Sequence, residues 1–463
     1  MKPGLMWLAC LLAGVLLTDT RAGWQVGVAK ADITPTEPVP LAGYSGAARM
    51  HVRTDHPIWL KALAIRPDDG PLAVLVTADL VGLSTRMVER IVRDAAARGV
   101  SRAGLVLNSS HNHSCPVTED VLWLYYEFTA EQTAACERYT ERVYSQYDAV
   151  IAGAIADLGP AELSFGQGLA GVAVNRRRAR GPGTRQFGGQ VDQDVPVIVA
   201  RSGDKLRAVV FGYSCHTTAL GGLSVNGDYA GFAQLELEER YPEAVALFVQ
   251  NCGGDANPLP RIRGNDPGAD AAALALAANY GRILAEAVSQ TLTAPLRPLP
   301  ATLSLAMGGT KLALEPGLPL EELRERVPQM SGLPKRAFNH FIRQYETEGG
   351  LPGEVEYPIQ VWRFGPELTF IALTGETVVD YSLQLKARYG WESTWVCGYN
   401  NDLLSYIPSR RVLREGGYEG ITGMYEYGHR APYTDDVEQR ILTEVDRLIR
   451  GPAPPSGGGA GGQ

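Results

Sequence analysis

The sequence is short of the features that mark several protein classes. Its 463 residues include only six cysteines, in no C-x-x-C spacing, and seven histidines. A disulfide-rich scaffold and a cysteine-built structural zinc site are thereby excluded. Positive charge is also scarce, with Lys+Arg 43 against Asp+Glu 51 and a formal net charge of −8. The densest basic cluster, Arg176-Arg177-Arg178 with Arg180, is too short to follow a phosphate backbone, so nucleic acid is not an expected partner. Beyond residue 22 no stretch approaches the ~18 continuous apolar residues of a membrane-spanning helix, so the mature chain is expected to hold no integral membrane segment. What is present is ordinary for a globular chain: 45% hydrophobic and 20% charged residues, enough to bury a core.

The two ends read as something other than fold. Lys2, the apolar run Leu5 to Leu17 and the small residues around Thr20-Arg21-Ala22 predict a cleavable secretory signal over 1–22. The mature protein is then expected to begin near Gly23 and to be secreted or periplasmic. Removing Cys10 leaves Cys115, Cys136, Cys215, Cys252 and Cys397, among which one or two bridges remain open in an oxidising compartment. The Pro/Gly-rich run from Gly451 predicts an unstructured tail over 451–463. A folded domain over 23–450 remains.

Within it a supersecondary pattern repeats three times. Leu60 to Ile65, a turn at Pro67-Asp68-Asp69-Gly70 and Leu72 to Thr77 predict a hairpin, followed by a helix from Ser84 to Arg98 and a strand from Gly104 to Leu107. Val197 to Ala200, Ala208 to Gly212, a helix over Tyr229 to Arg240 and a strand Ala244 to Val249 repeat it. Ile359 to Trp362, Leu368 to Leu373, a helix Val378 to Arg388 and a strand Thr394 to Cys397 repeat it again. The fold class expected is α/β, a single large domain with mixed β-sheets built on three hairpin–helix–strand units.

Polar residues stand just past these strands. Asp79, His216 and Glu376 follow the second strands; His111 with His113, then Asp255, then Tyr406 follow the third. Strand ends of α/β sheets are where ligands bind. Asn108-Ser109-Ser110-His111-Asn112-His113 directly follows an apolar strand, and an extended chain would project both imidazoles to one side. Two histidines and one carboxylate from separate strands make a catalytic zinc set with a position open for water. Two other patterns are structural: H-N-H lacks the ββα setting of the nuclease motif, and Ser45 in Gly43-Tyr44-Ser45-Gly46 is no nucleophile elbow.

Several ordered segments resemble the neutral ceramidase family. Gly27-Val28-Ala29-Lys30-Ala31-Asp32-Ile33-Thr34-Pro35 resembles its opening motif, and Ser110-His111-Asn112-His113-Ser114 its T-H-T-H-S segment. Glu376 stands in what resembles its P-G-E, Tyr406 in what resembles its N-x-Y-x-x-Y, and Gly417-Tyr418-Glu419-Gly420 resembles its Y-E-G. The resemblance spans roughly residues 24–430. It implies the catalytic-domain fold of that family and a zinc amidase acting on the N-acyl bond of a lipid-like or small-molecule substrate, in sphingolipid metabolism. It implies one Zn2+ per chain held by His111, His216, Glu376 and Tyr406, with His113 and Arg176 facing the substrate.

The chain also departs from the family. Where ceramidases carry a serine in G-D-V-S-P, this sequence reads Gly254-Asp255-Ala256-Asn257-Pro258, so Asn257 has no hydroxyl to relay a proton. Asp255 is expected to orient a ligand from behind. H-S-G-P becomes His113-Ser114-Cys115-Pro116, and the ceramidases continue into a C-terminal β-sandwich where this sequence reaches its tail. These departures point to a smaller, more polar substrate than ceramide. A zinc glycosidase or esterase, or a zinc- or carbohydrate-binding homologue without turnover, are the other functions such a site admits. Val26 to Ala42 is expected near the site.

Overall fold

A computed structural model describes residues 23–177, 189–262 and 267–451. The expected signal over 1–22, the tail from 452 onward and the basic residues Arg178 and Arg180 lie outside the described residues.

All three repeated units form as the apolar periods predict. In the first, Trp59–Pro67 and Ala73–Ala78 make an antiparallel hairpin, helix Thr85–Ala96 follows, and Leu105–Ser109 returns parallel to the second strand. Ser84 caps the helix, its side chain accepting from the amide of Met87 at 3.3 Å. The second unit runs Asp194–Ser202, Lys205–Tyr213, helix Asp228–Arg240 and strand Val245–Gln250. The third runs Glu354–Phe364, Leu368–Thr374, helix Val379–Tyr389 and strand Thr394–Asn400. In each, hairpin strands are antiparallel and the second and third strands parallel. The carboxyl ends of those two strands therefore share one edge.

The units join one mixed sheet, thirteen-stranded among the described residues. Unit two lies at one end, followed by Gly159–Leu169 and Trp24–Asp32; then come unit one and, in reverse order, unit three, with Leu303–Ala313 outermost. The sheet curls so far that its first edge returns to its middle. Asn251, just past the third strand of unit two, bridges Cys397 in the third strand of unit three. Asn108 ties the ends together: its Nδ2 donates to the carbonyl of Gly398 at 2.9 Å and to Asn400 Oδ1 at 3.0 Å, and its Oδ1 receives the Gln250 amide at 2.8 Å.

Curling explains why the strands read as nearly unbroken apolar runs, since both faces are buried. Leu63, Val210, Phe370 and Trp395 point inward to one shared core. Their neighbours Ala62, Val209 and Ile371 point outward, each to a separate cluster under its own unit's helix. The architecture is thus the expected α/β mixed-sheet domain. Among the described residues no helix is long and apolar enough to cross a membrane. Cys115, Cys136, Cys215, Cys252 and Cys397 are all buried and free, so none of the bridges left open by the sequence forms between them.

Candidate metal centre

At the shared edge three buried side chains from three units converge. His111, His216 and Glu376 offer donor atoms that all lie within 4.8 Å of one another. Glu376 Oε2 is 3.2 Å from His111 Nε2 and 3.1 Å from His216 Nε2. The remaining ring nitrogens are engaged by main-chain carbonyls, His111 Nδ1 with Val81 at 2.8 Å and His216 Nδ1 with Gly253 at 2.7 Å. A carbonyl only accepts, so each Nδ1 carries the hydrogen and each Nε2 presents a lone pair. Two lone pairs facing a carboxylate oxygen repel unless a cation sits among them. Burial, then the Arg176 charge, pushes His216 down to about 4, so that ring is neutral at neutral pH and does not supply the cation as a proton. The donor set and its carbonyl-oriented imidazoles fit a divalent metal ion.

Local folding sets each member. The two histidines of the H-x-H do not converge by staying extended: His111 adopts φ 58°, in the left-handed region, a conformation that costs about 1–3 kcal/mol for a non-glycine residue. Hydrogen bonds on either side hold it, from the Ser110 amide to Ala78 and from the Asn112 amide to Leu80, at 2.9 and 3.2 Å. Thr217 Oγ1 donates to the Ser110 carbonyl at 2.7 Å, locking the His216 segment to the His111 segment. Glu376 and Tyr406 are register partners in a short parallel pair, Glu376–Thr377 with Tyr406–Ile407. Gly375 precedes them at φ 75°, where an added Cβ would lie 2.7 Å from the Ser405 carbonyl oxygen.

Around the cluster the other expected site residues take distinct places. Tyr406 Oη is 3.4 Å from His216 Nε2 and accepts from Arg176 Nη2 at 3.0 Å. Arg176 is held by Glu419 through Nε at 2.6 Å and remains cationic despite burial, because Tyr406 and Glu419 stabilise its proton. His113 brings Nε2 to 3.0 Å from His111 Nε2, and its ring lies edge-on to Tyr44. Burial, then the neighbouring His111 and His216, holds His113 well below the usual imidazole range, so it too is neutral at pH 7. Asn257 faces the same cleft. Asp255 does not: its carboxylate accepts from the Val379 amide and Asn175 Nδ2, both at 2.9 Å, and its carbonyl accepts from the Arg176 amide at 2.8 Å. It fixes the segment carrying Arg176 against the helix that follows Glu376.

Asp79, at the equivalent strand end of unit one, stays outside the cluster, accepting from Gln234 Nε2 at 3.1 Å and the Trp59 amide at 2.9 Å. Of the stretch Val26 to Ala42, only the far end approaches the site, where Ala42 and His113 share Arg49 as donor to their carbonyls. Ser45 is exposed, in neither strand nor helix. The cleft beside the cluster has a volume of about 520 Å³ and is walled by Tyr44, His113, Arg176, Asn257, Tyr406 and Tyr418, among others. A larger cavity of about 920 Å³, near Asp380, Trp391 and Arg411, holds none of the cluster residues.

The fold, with its curled mixed sheet, is shared with solved structures. Neutral ceramidase from Pseudomonas aeruginosa superposes with a TM-score of 0.71 over 94% of this chain and 76% of that one, at 18% identity. The fold is that of neutral ceramidase. A ceramidase complexed with C2 superposes with a TM-score of 0.69, covering 92% of this chain and 76% of that chain at 16% identity. No protein-family model and no curated protein matches the sequence.

On this neutral ceramidase fold, two tyrosines join the cluster without having been singled out in the sequence. Tyr427 Oη donates to Glu376 Oε1, occupying the carboxylate oxygen that the histidines leave. Tyr399 lies against the His111 ring, centroids 4.7 Å apart, and donates to Glu376 Oε2 at 3.4 Å. The available signal was compositional: 20 tyrosines against 10 phenylalanines, an excess of aromatic rings bearing a hydroxyl.

Proposed function

We propose that this chain is a zinc-dependent hydrolase that cleaves an amide, N-acyl, bond. The observation that supports it most directly is the facing of His111 Nε2 and His216 Nε2 onto Glu376 Oε2 at 3.2 and 3.1 Å, with both Nδ1 atoms on carbonyls. His111, His216 and Glu376 would hold one zinc ion, with Tyr406 as a fourth donor. Zinc bound there supplies Lewis-acid polarisation of a carbonyl and a water made acidic enough to attack near neutral pH.

The chain's own residues do the rest. His113, neutral and directed into the cluster, takes a proton at Nε2 during attack and returns it to the leaving nitrogen. Its depressed basicity favours that second transfer. Arg176 keeps its charge beside Tyr406 Oη, placed to stabilise negative charge developing on the substrate oxygen. Asp255 positions the Arg176 backbone.

The neutral ceramidase likeness favours an N-acyl bond over a glycosidic one. Asn257 in place of a serine, on a cleft walled by arginines and tyrosines, favours a substrate more polar than ceramide. In this reading residues 1–22 are a secretory signal, and the enzyme works outside the cytoplasm. Metal analysis of purified protein, joined to a panel of N-acyl, glycosyl and ester substrates, tests the proposal. One zinc per chain with turnover concentrated in the N-acyl compounds is the expected result. Metal-free protein from zinc-supplemented preparation, or turnover confined to glycosides, refutes it.

A further inference from the structure

We infer that Tyr427 is a positioning residue of the proposed zinc site: it keeps Glu376 to ligation through one oxygen, so that a position beside the ion stays open for water. The inference rests on the zinc hydrolase reading and goes beyond it by giving a task to a residue outside the ligand set.

The two oxygens of Glu376 are served separately. The residue is 1% exposed, so neither oxygen can rely on bulk water. Oε2 faces the lone pairs of His111 Nε2 and His216 Nε2 at 3.2 and 3.1 Å and receives Tyr399 Oη at 3.4 Å. Oε1 accepts from Tyr427 Oη. An ion among the histidines takes Oε2 and leaves Oε1 as the buried oxygen of an anion, which needs a donor. Tyr427 supplies it. Hydrolytic zinc takes four ligands and can expand to five. His111, His216, Tyr406 and one oxygen of Glu376 make up the first four, so a second Glu376 oxygen would occupy the position that water needs. The hydrogen bond to Tyr427 opposes that turn of the carboxylate, because Oε1 would have to leave its donor or share its lone pairs with the ion.

Tyr427 is itself held in place. It ends the 3-10 helix Thr422–Tyr427, which is anchored by Met424, buried in the core cluster that includes Ile407 and Val412. Gly428 follows at φ 79°, its amide donating to the Tyr425 carbonyl at 3.2 Å, and the His429 amide donates to the Met424 carbonyl at 3.1 Å. His429 Nε2 donates in turn to the Leu404 carbonyl at 3.1 Å, two residues before Tyr406. At Gly423 an added Cβ would lie 3.0 Å from Tyr406 Cδ2. One short segment thus seats both Tyr406 and Glu376, the register pair. Packing alone does not account for a tyrosine here. The ring rests against the core under the helix of unit one, where phenylalanine would serve, while the hydroxyl is spent on Glu376.

The test loads cobalt(II) in place of zinc into metal-stripped wild type and Tyr427→Phe, because the visible bands of cobalt weaken as its coordination number rises. Phenylalanine keeps the ring, and circular dichroism checks that the variant folds. Both proteins should bind one cobalt per chain, the wild type with strong visible bands and the variant with most of that absorption lost. With zinc, kcat of the variant on the best N-acyl substrate should fall by about 10–100-fold while KM changes little. Coincident cobalt spectra, or a folded variant that holds no cobalt, overturn the role of Tyr427. Should the variant not fold, the wild type decides: strong bands at full cobalt occupancy support one-oxygen ligation, and weak bands overturn it. The two proposals fail separately. Wild-type protein that binds neither cobalt nor zinc removes the zinc site and this role with it. Spectra that differ as expected, without turnover of any N-acyl compound, remove the hydrolase and keep the positioning role.

Discussion

His113 is wedged between a glycine and the candidate metal cluster, and Gly43→Ala tests how closely its position controls turnover. A Cβ at Gly43 would lie 2.4 Å from His113 Cγ and 2.5 Å from its Nδ1. Those atoms belong to the ring itself, so no flexible tip can give way. Reaching ordinary van der Waals separation requires a displacement of about 1 Å. On its far side the ring meets His111 at 3.0 Å and Tyr44 edge-on, which bars simple retreat. Gly43 also sits at φ 92°, where an alanine is strained. Strain and overpacking together should destabilise the fold by about 2–4 kcal/mol, read as a lowered denaturant midpoint at unchanged slope. A misplacement of about 1 Å at a proton-transfer group should lower kcat/KM by about 100-fold. Zinc content should stay near wild type, because His113 lies outside the proposed ligand set. The assay is a denaturant titration, metal analysis and kinetics on the best N-acyl substrate. Full turnover by a destabilised, zinc-loaded Gly43→Ala protein would refute the role given to His113.

Replacing His111, His216 or Glu376 by alanine should remove most bound zinc while circular dichroism stays near wild type, since strand-end ligands do not support the core; stoichiometric zinc in the His111→Ala and His216→Ala proteins would sink the ligand set. Metal-free protein should lose stability as pH falls. His216, neutral down to about 4 when folded but protonated near 6.5 when unfolded, binds more protons in the unfolded state across that window, so stability rises with pH there by up to about 1.4 kcal/mol per unit. Stability curves of metal-free wild type and His216→Gln, taken from pH 7 to 4, should diverge accordingly; parallel curves would contradict the assignment. Wild-type protein should hydrolyse ceramide poorly even with zinc bound, and comparison with Asn257→Ser measures what the serine position contributes; efficient ceramide turnover by wild type would reverse the expectation of a polar substrate.

Much of this molecule is legible along its chain. The strands of the three units are apolar on both faces and bounded by turn residues, so their periodicity marks them without knowledge of their neighbours. His111, His216 and Glu376 stand at the ends of those strands, and composition and placement mark them as candidate ligands beside Asp79, His113 and Asp255; Tyr406 enters the candidate set through the resemblance to the neutral ceramidases. Local sequence does not carry the curl that returns Asn251 to Cys397, because a closing sheet is decided by packing of inward faces such as Phe370 and Trp395 across hundreds of residues. For the same reason the chain order cannot say that Asp79 stays out of the cluster while its counterparts enter. Nor can it say that Tyr399 and Tyr427 reach Glu376, since a tyrosine's partner is chosen by which segments meet in space. The apolar periods thus carry the three units, and the residue types at their ends carry the candidate ligands. Tertiary structure decided which side chains meet, because a coordination set is defined over a few ångströms that only the closed sheet brings together.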